Sequence, residues 1–154
     1  DWKYEQRREA QQLLPHLWLG PLSSLRQSDF LLTHNITQVI NVRSHMSRGV
    51  GIIPKLPPGV TYNSVDSTSP HDLASKFPLA ADIIDSHLLG ALPPHLQLSG
   101  GITLLYCESG NDRSAAVATA YIMQHLDITA IQAIQYIQAK RFCVSLDEWA
   151  KWTL

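Results

Sequence analysis

Short apolar runs alternate along this chain with longer stretches in which apolar positions recur every three or four residues. The run "LLPHLWLG", punctuated by Pro15 and Gly20, predicts a first strand after the polar, helix-compatible stretch "YEQRREAQQ" at 4–12. In "SSLRQSDFLLTHN" a serine cap and the apolar Leu25, Phe30, Leu31 and Leu32 predict a helix. "ITQVINV" then reads as a buried strand ending near Val42.

Residues 43–60, "RSHMSRGVGIIPKLPPGV", are dense in glycine and proline and lack a period, so they read as a loop. "TYNSV" predicts another strand. From Asp72 to Leu89 the positions Leu73, Phe77, Ala80, Ala81, Ile84 and Leu88 follow helical spacing, and Pro78 predicts a kink or a start one turn later. "GALPPHLQLSGG" is a turn-rich connector into the strand "ITLLYC". Two helices follow, "SAAVATAYIMQHL" and "TAIQAIQYIQAKR", the second with Ile131, Ile134 and Ile137 at intervals of three. "SLDEWAKWTL" predicts a capped terminal helix with Trp149 and Trp152 on one face, both read as core. The succession implies an α/β fold, a central mostly parallel sheet flanked by helices, as a single domain over 1–154.

At 154 residues the chain can bury a core without staples, and 45% apolar against 16% charged residues excludes a disordered chain. Its net charge of -1, with basic residues scattered, gives no stripe for nucleic acid. No apolar run of about 18 residues predicts a membrane span. The chain opens at Asp1 rather than methionine, which reads as a domain cut from a longer protein. Two cysteines, Cys107 and Cys143, make no disulfide framework or zinc set, and none of the seven histidines has a metal spacing. The expectation is therefore no cofactor and no metal, a reducing cytoplasmic or nuclear setting, and a monomer.

The chemistry concentrates in "TLLYCESGNDRSAAVATAYIM". A loop between a strand's end and a helix's start presents backbone N–H groups as an anion nest, backed by the helix dipole. Cys107 at the strand's exit would have its thiolate stabilised there, which makes it a candidate nucleophile. Arg113, six positions on, offers a guanidinium fork for two phosphoryl oxygens. Gly110 allows a positive φ or a close approach, and Ser114 supplies a hydroxyl near the sulfur. The phosphate-binding loop is Cys107, Glu108, Ser109, Gly110, Asn111, Asp112 and Arg113, and in-line attack by a thiolate followed by water is the reaction it suits.

"YCESGNDRSAAVATAYIM" resembles the His-Cys-x5-Arg-Ser/Thr signature, with its buried helix, of the dual-specificity branch of the cysteine phosphatases. "DWKYEQRREAQQLLPHLWLGPLSS" and "RFCVS" are also similar to the STYX-like pseudophosphatases of that family, in which glycine replaces the signature cysteine. The resemblance implies either phosphomonoester hydrolysis or a binding module, with a phosphorylated protein as substrate or partner. It also implies an aspartate as general acid before the helix that precedes the signature. Counted back from "FPLAAD" that position is Ser67, so Asp66, one residue earlier, is the candidate; Asp72, which also reads as a helix-start residue, and the lack of any general acid are the alternatives.

The signature departs from the family in three places. Tyr106 replaces the histidine that helps hold the loop. Glu108 and Asp112 put carboxylates in an anion loop. At roughly 6 Å and an effective dielectric of ~20, either one facing inward would oppose a thiolate by about 3 kcal/mol, more than the ~1–2 kcal/mol that a helix N-terminus returns. Both are expected to face solvent. Asp112 beside the arginine also resembles inositide phosphatases, a third reading. Cys143 is expected to be a small core residue, with a resolving thiol as the alternative.

Overall fold

The computed structural model describes residues 2–26, 29–44, 54–90, 101–146 and 154. Its strands are β1 (Gln11–Leu14), β2 (Leu17–Pro21), β3 (Ile36–Ser44), β4 (Thr61–Ser67) and β5 (Ile102–Cys107). They form one sheet in the order β1-β2-β5-β3-β4, parallel throughout except for the β1–β2 hairpin. The helices are α1 (Phe30–Thr33), α2 (Pro70–Ser75), α3 (Phe77–Gly90), α4 (Arg113–Leu126) and α5 (Ala130–Lys140), with 3-10 turns at Tyr4–Arg8 and Leu22–Arg26.

Both faces of the sheet are covered, so its central strands are apolar runs rather than alternations. Ile40, Val42, Val65 and Leu105 pack with Ala80, Ile84, Val117, Ile122 and Ile137 from α3, α4 and α5. Their strand neighbours Val39, Leu104 and Tyr106 point the other way, against Leu31 of α1 and the half-buried Trp18 and Phe30. The expected first strand is two strands, because Pro15 and His16 make a hairpin turn inside "LLPHLWLG". The expected early helix is a 3-10 turn and the four-residue α1, and the polar stretch before β1 is helical only over Tyr4–Arg8.

The kink expected at Pro78 is a full break. Ser69 caps α2 by accepting the Asp72 N–H at 3.1 Å, the helix closes at Lys76, and Pro78 occupies the second position of α3, where its missing N–H costs nothing. Of the isoleucine series on α5, Ile137 is buried, Ile134 half-buried and Ile131 exposed, because a spacing of three drifts off a 3.6-residue helix face. The expected terminal helix with Trp149 and Trp152 lies outside the described residues.

Two histidines at the end of the sheet away from the β5–α4 loop make stability sensitive to acid. His16 is buried with its Nε2 2.7 Å from the Tyr121 hydroxyl, which donates to Asp85 at 2.6 Å. His87 places Nε2 2.6 Å from the Thr37 hydroxyl. Burial holds both below the ordinary 6.5; for His16 the neighbouring His125 adds to this and Asp85 opposes it. Both are therefore neutral in the fold while the unfolded chain takes up protons below about 6.5, so folding stability drops as pH falls through that range. The melting temperature should be flat from pH 7 to 8, should decline from about 6.5 towards 5, and should decline less in His87→Gln. A melting temperature that rises on acidification would rule this out.

Candidate active site

The site stands where β5 runs out and α4 begins. β5 is buried along nearly its whole length, so it fixes Cys107 at the sheet's carboxyl edge. Five small or polar residues, Glu108 to Asp112, then turn the chain into Arg113, the first residue of α4. Gly110 makes the turn with φ +75, and a Cβ there would lie 2.4 Å from the Gly20 carbonyl carbon at the end of β2. Both the expected positive φ and the expected close approach are therefore present.

Cys107 is 3% exposed, and its sulfur receives the Gly110 N–H at 3.3 Å and the Ser114 hydroxyl at 3.0 Å. Ser114 lies wholly in the core, in the first turn of α4, so the helix N-terminus points at the sulfur from behind. Cys107, Glu108, Ser109, Asp112 and Arg113 line a cavity of about 380 Å³. The arrangement can stabilise a thiolate and can receive a tetrahedral oxyanion between the loop N–H groups and Arg113.

The two acidic residues differ. Glu108 is exposed, as expected, and its carbonyl accepts the Leu22 N–H at 3.2 Å. Asp112 is half-buried at the start of α4, lining the cavity, where the expectation was an outward, solvated side chain. Its carbonyl accepts the Ala116 N–H at 2.8 Å and so begins the helix. Tyr106 points away from the sulfur into the opposite core layer, beside Tyr62. Burial first, and then Tyr62, hold its phenol well above the ordinary tyrosine range, with Arg43 opposing. It therefore carries no charge that could assist a thiolate or an anion.

The two candidate acids are not brought to the cavity. Arg43 and Asp66 are register partners on β3 and β4, and the guanidinium grips the carboxylate at 2.8 and 2.9 Å. Strand parity explains the outcome. Tyr62, Ser64 and Asp66 share one face of β4, whereas Val65 and Ser67 are buried on the other, where Val65 meets α4 and Leu105. Ser67, at the position that the resemblance implies for the acid, has no carboxyl group. Asp72 is a helix-start residue: its carboxylate accepts the Thr68 N–H at 2.8 Å and meets Lys76 at 3.3 Å, and these contacts hold it below the usual carboxylate range.

Sequence reasoning passed over Arg141, which lies beneath the loop with no exposed surface and donates to the carbonyls of Ser109 and Gly110. Cys143, expected in the core, is half-buried and directs its thiol at the Asn111 amide oxygen, 3.0 Å away. The only advance signal for either was their place in "RFCVS", directly after a helix. Among the described residues no group of three or more His, Cys, Asp or Glu is placed to hold a metal ion, and no helix is long and apolar enough to cross a membrane.

Comparison with known proteins gives the family. The family model for the dual specificity phosphatase catalytic domain matches residues 17–152. The chain is 33% identical over 149 residues to the serine/threonine/tyrosine-interacting protein of Homo sapiens, covering 94% of this chain and 62% of that one. It is 28% identical over 136 residues to dual specificity protein phosphatase 5 of Homo sapiens, covering 87% of this chain and 32% of that one. The chain thus spans less than two thirds of the length of these relatives. The crystal structure of the human tyrosine phosphatase-like serine/threonine/tyrosine-interacting protein superposes with a TM-score of 0.79 at 29% identity, covering 95% of this chain and 93% of that one. That of human DUSP28 superposes with a TM-score of 0.75 at 22% identity, covering 94% and 88%.

Proposed function

Because this chain belongs to the dual specificity phosphatase family, we propose that it binds phosphomonoester groups of phosphoproteins in the loop from Cys107 to Arg113 and hydrolyses them slowly through a cysteinyl-phosphate. The observation that carries the reading is the Cys107 sulfur, which accepts the Ser114 O–H and the Gly110 N–H at the floor of a cavity that Arg113 also lines. The thiolate attacks phosphorus in line as the ester P–O bond breaks, with Arg113 clamping two of the equatorial oxygens. Water then attacks phosphorus, the P–S bond breaks, and the electron pair returns to sulfur, where the Ser114 hydroxyl stabilises it.

The first step leaves an oxyanion that needs a proton. Asp66 is gripped by Arg43 and does not line the cavity, so water is the proton source in this reading. Hydrolysis should then depend steeply on the leaving group: aryl phosphates with acidic phenols turn over, while phosphoserine and other alkyl phosphates react slower by roughly 10²-fold or more, the share that a general acid usually supplies. Asp66→Asn should leave aryl phosphate turnover, measured from pH 5 to 8, within about twofold of the parent. An acid-side dependence that vanishes in Asp66→Asn would instead restore Asp66 as the acid.

The same position of Asp66 favours a second reading, a binding module that holds a phosphoprotein without cutting it. Rapid mixing with an aryl phosphate separates the two. A burst of phenol equal to the enzyme concentration indicates a cysteinyl-phosphate, whereas tungstate binding with no burst indicates a module.

A further inference from the structure

Arg141, just after α5, is the bulkiest fully buried side chain among the described residues. A guanidinium has five N–H donors, and each has an acceptor here. Nε donates to the Gly110 carbonyl at 3.2 Å. One terminal nitrogen donates to the Glu9 carbonyl and the Gln11 side-chain oxygen, both at 2.6 Å. The other donates to the Arg7 carbonyl at 3.0 Å and the Ser109 carbonyl at 2.9 Å. None of these acceptors is a carboxylate, so a buried cation is solvated by peptide and amide dipoles alone. Such a charge is costly to bury and usually paired.

The Ser109–Gly110 peptide shows what the arrangement does. Its carbonyl points to Arg141 and its N–H points to the Cys107 sulfur at 3.3 Å. Because a trans peptide is rigid and its C=O and N–H oppose each other, holding one end outward aims the other end inward. The cation therefore stands one peptide plane away from the anion site, with three of its donors fastened to the stretch 7–11.

We infer that Arg141 is a positioning residue of the phosphate loop: it aims the Ser109–Gly110 peptide at the sulfur and the bound oxyanion, and it makes the stretch Arg7–Gln11 part of the site. The role toward the oxyanion rests on the reading of the loop as a phosphate site; the role toward Cys107 does not.

Wild type, Arg141→Lys and Arg141→Met are compared in three measurements: thermal melting, tungstate affinity, and the pH profile of Cys107 alkylation by iodoacetamide, read by peptide mass spectrometry. Arg141→Met should bind tungstate at least about tenfold more weakly and alkylate along a profile displaced to higher pH. Arg141→Lys keeps the charge but not the five-donor fork, so its alkylation profile should stay near wild type while tungstate weakens about threefold. Folded variants with lower melting temperatures but wild-type affinity and alkylation would reduce Arg141 to a structural residue and overturn the inference. If Arg141→Met does not fold, Arg141→Lys decides, since wild-type tungstate affinity there overturns it. If wild type binds no tungstate the phosphate reading fails, and displacement of the alkylation profile, or its absence, in the folded variants still decides Arg141.

Discussion

Cys107→Ser is expected to lose aryl phosphate turnover by at least ~10³-fold, because a serine hydroxyl in this loop has no base to make it a nucleophile. The substituted oxygen would keep both contacts that now reach the sulfur, from Gly110 and Ser114, and the loop should keep its shape. Tungstate binding should therefore survive. It should even tighten, since a neutral hydroxyl replaces a group whose thiolate form repels an oxyanion. The pair of results is what distinguishes the proposal: turnover lost with binding kept makes Cys107 the nucleophile. Turnover that persists in Cys107→Ser would move the chemistry elsewhere, and turnover absent from both proteins with binding intact would leave the loop as a phosphate holder.

Much of this site could be read from residue order because its parts are contiguous. Cys107, Gly110, Arg113 and Ser114 lie within one strand-loop-helix connection, so local rules of strand exit, anion nest and helix start suffice to assemble them. The strands β3 and β5 and the helices α4 and α5 were legible for the same reason, each being a long segment with one dominant period. The surroundings of Asp66 were not legible: counting back along the chain brings it within one position of the acid that the resemblance implies, yet that single step of strand parity turns its side chain to the far face and into the grip of Arg43. Arg141 was illegible because all its partners, Arg7, Glu9, Gln11, Ser109 and Gly110, are distant in sequence and four of the five offer only backbone carbonyls, which leave no trace in residue type. The hairpin inside "LLPHLWLG" was missed because an apolar stretch on both sides of a two-residue turn looks like one run.

Gly110→Ala is expected to be the most damaging single methyl in the loop, and two other glycines show why. At Gly59 φ is +86 and a Cβ would meet nothing within 4 Å, so Gly59→Ala carries only the left-handed backbone cost, about 1–2 kcal/mol. Gly20 lies outside the left-handed region, but its Cβ would fall 2.5 Å from the Ala10 Cβ, so Gly20→Ala carries crowding alone, about 1–3 kcal/mol. Gly110 combines the two: φ +75, and a Cβ driven 2.4 to 2.6 Å from the backbone of Gly20 and Pro21, which cannot rotate out of the way. The sum, about 3 kcal/mol, corresponds to a melting temperature lower by roughly 6–12 °C for a domain of this size. Relief of that clash must push the loop off β2, and this would carry the Gly110 N–H away from the Cys107 sulfur and its carbonyl away from Arg141. Melting curves of the three alanine variants beside tungstate titrations test the argument. Gly59→Ala should bind tungstate as wild type does, while Gly110→Ala should lose at least about tenfold. A Gly110→Ala protein no less stable than Gly59→Ala, with wild-type tungstate affinity, would mean that the loop is not pressed against β2 as described.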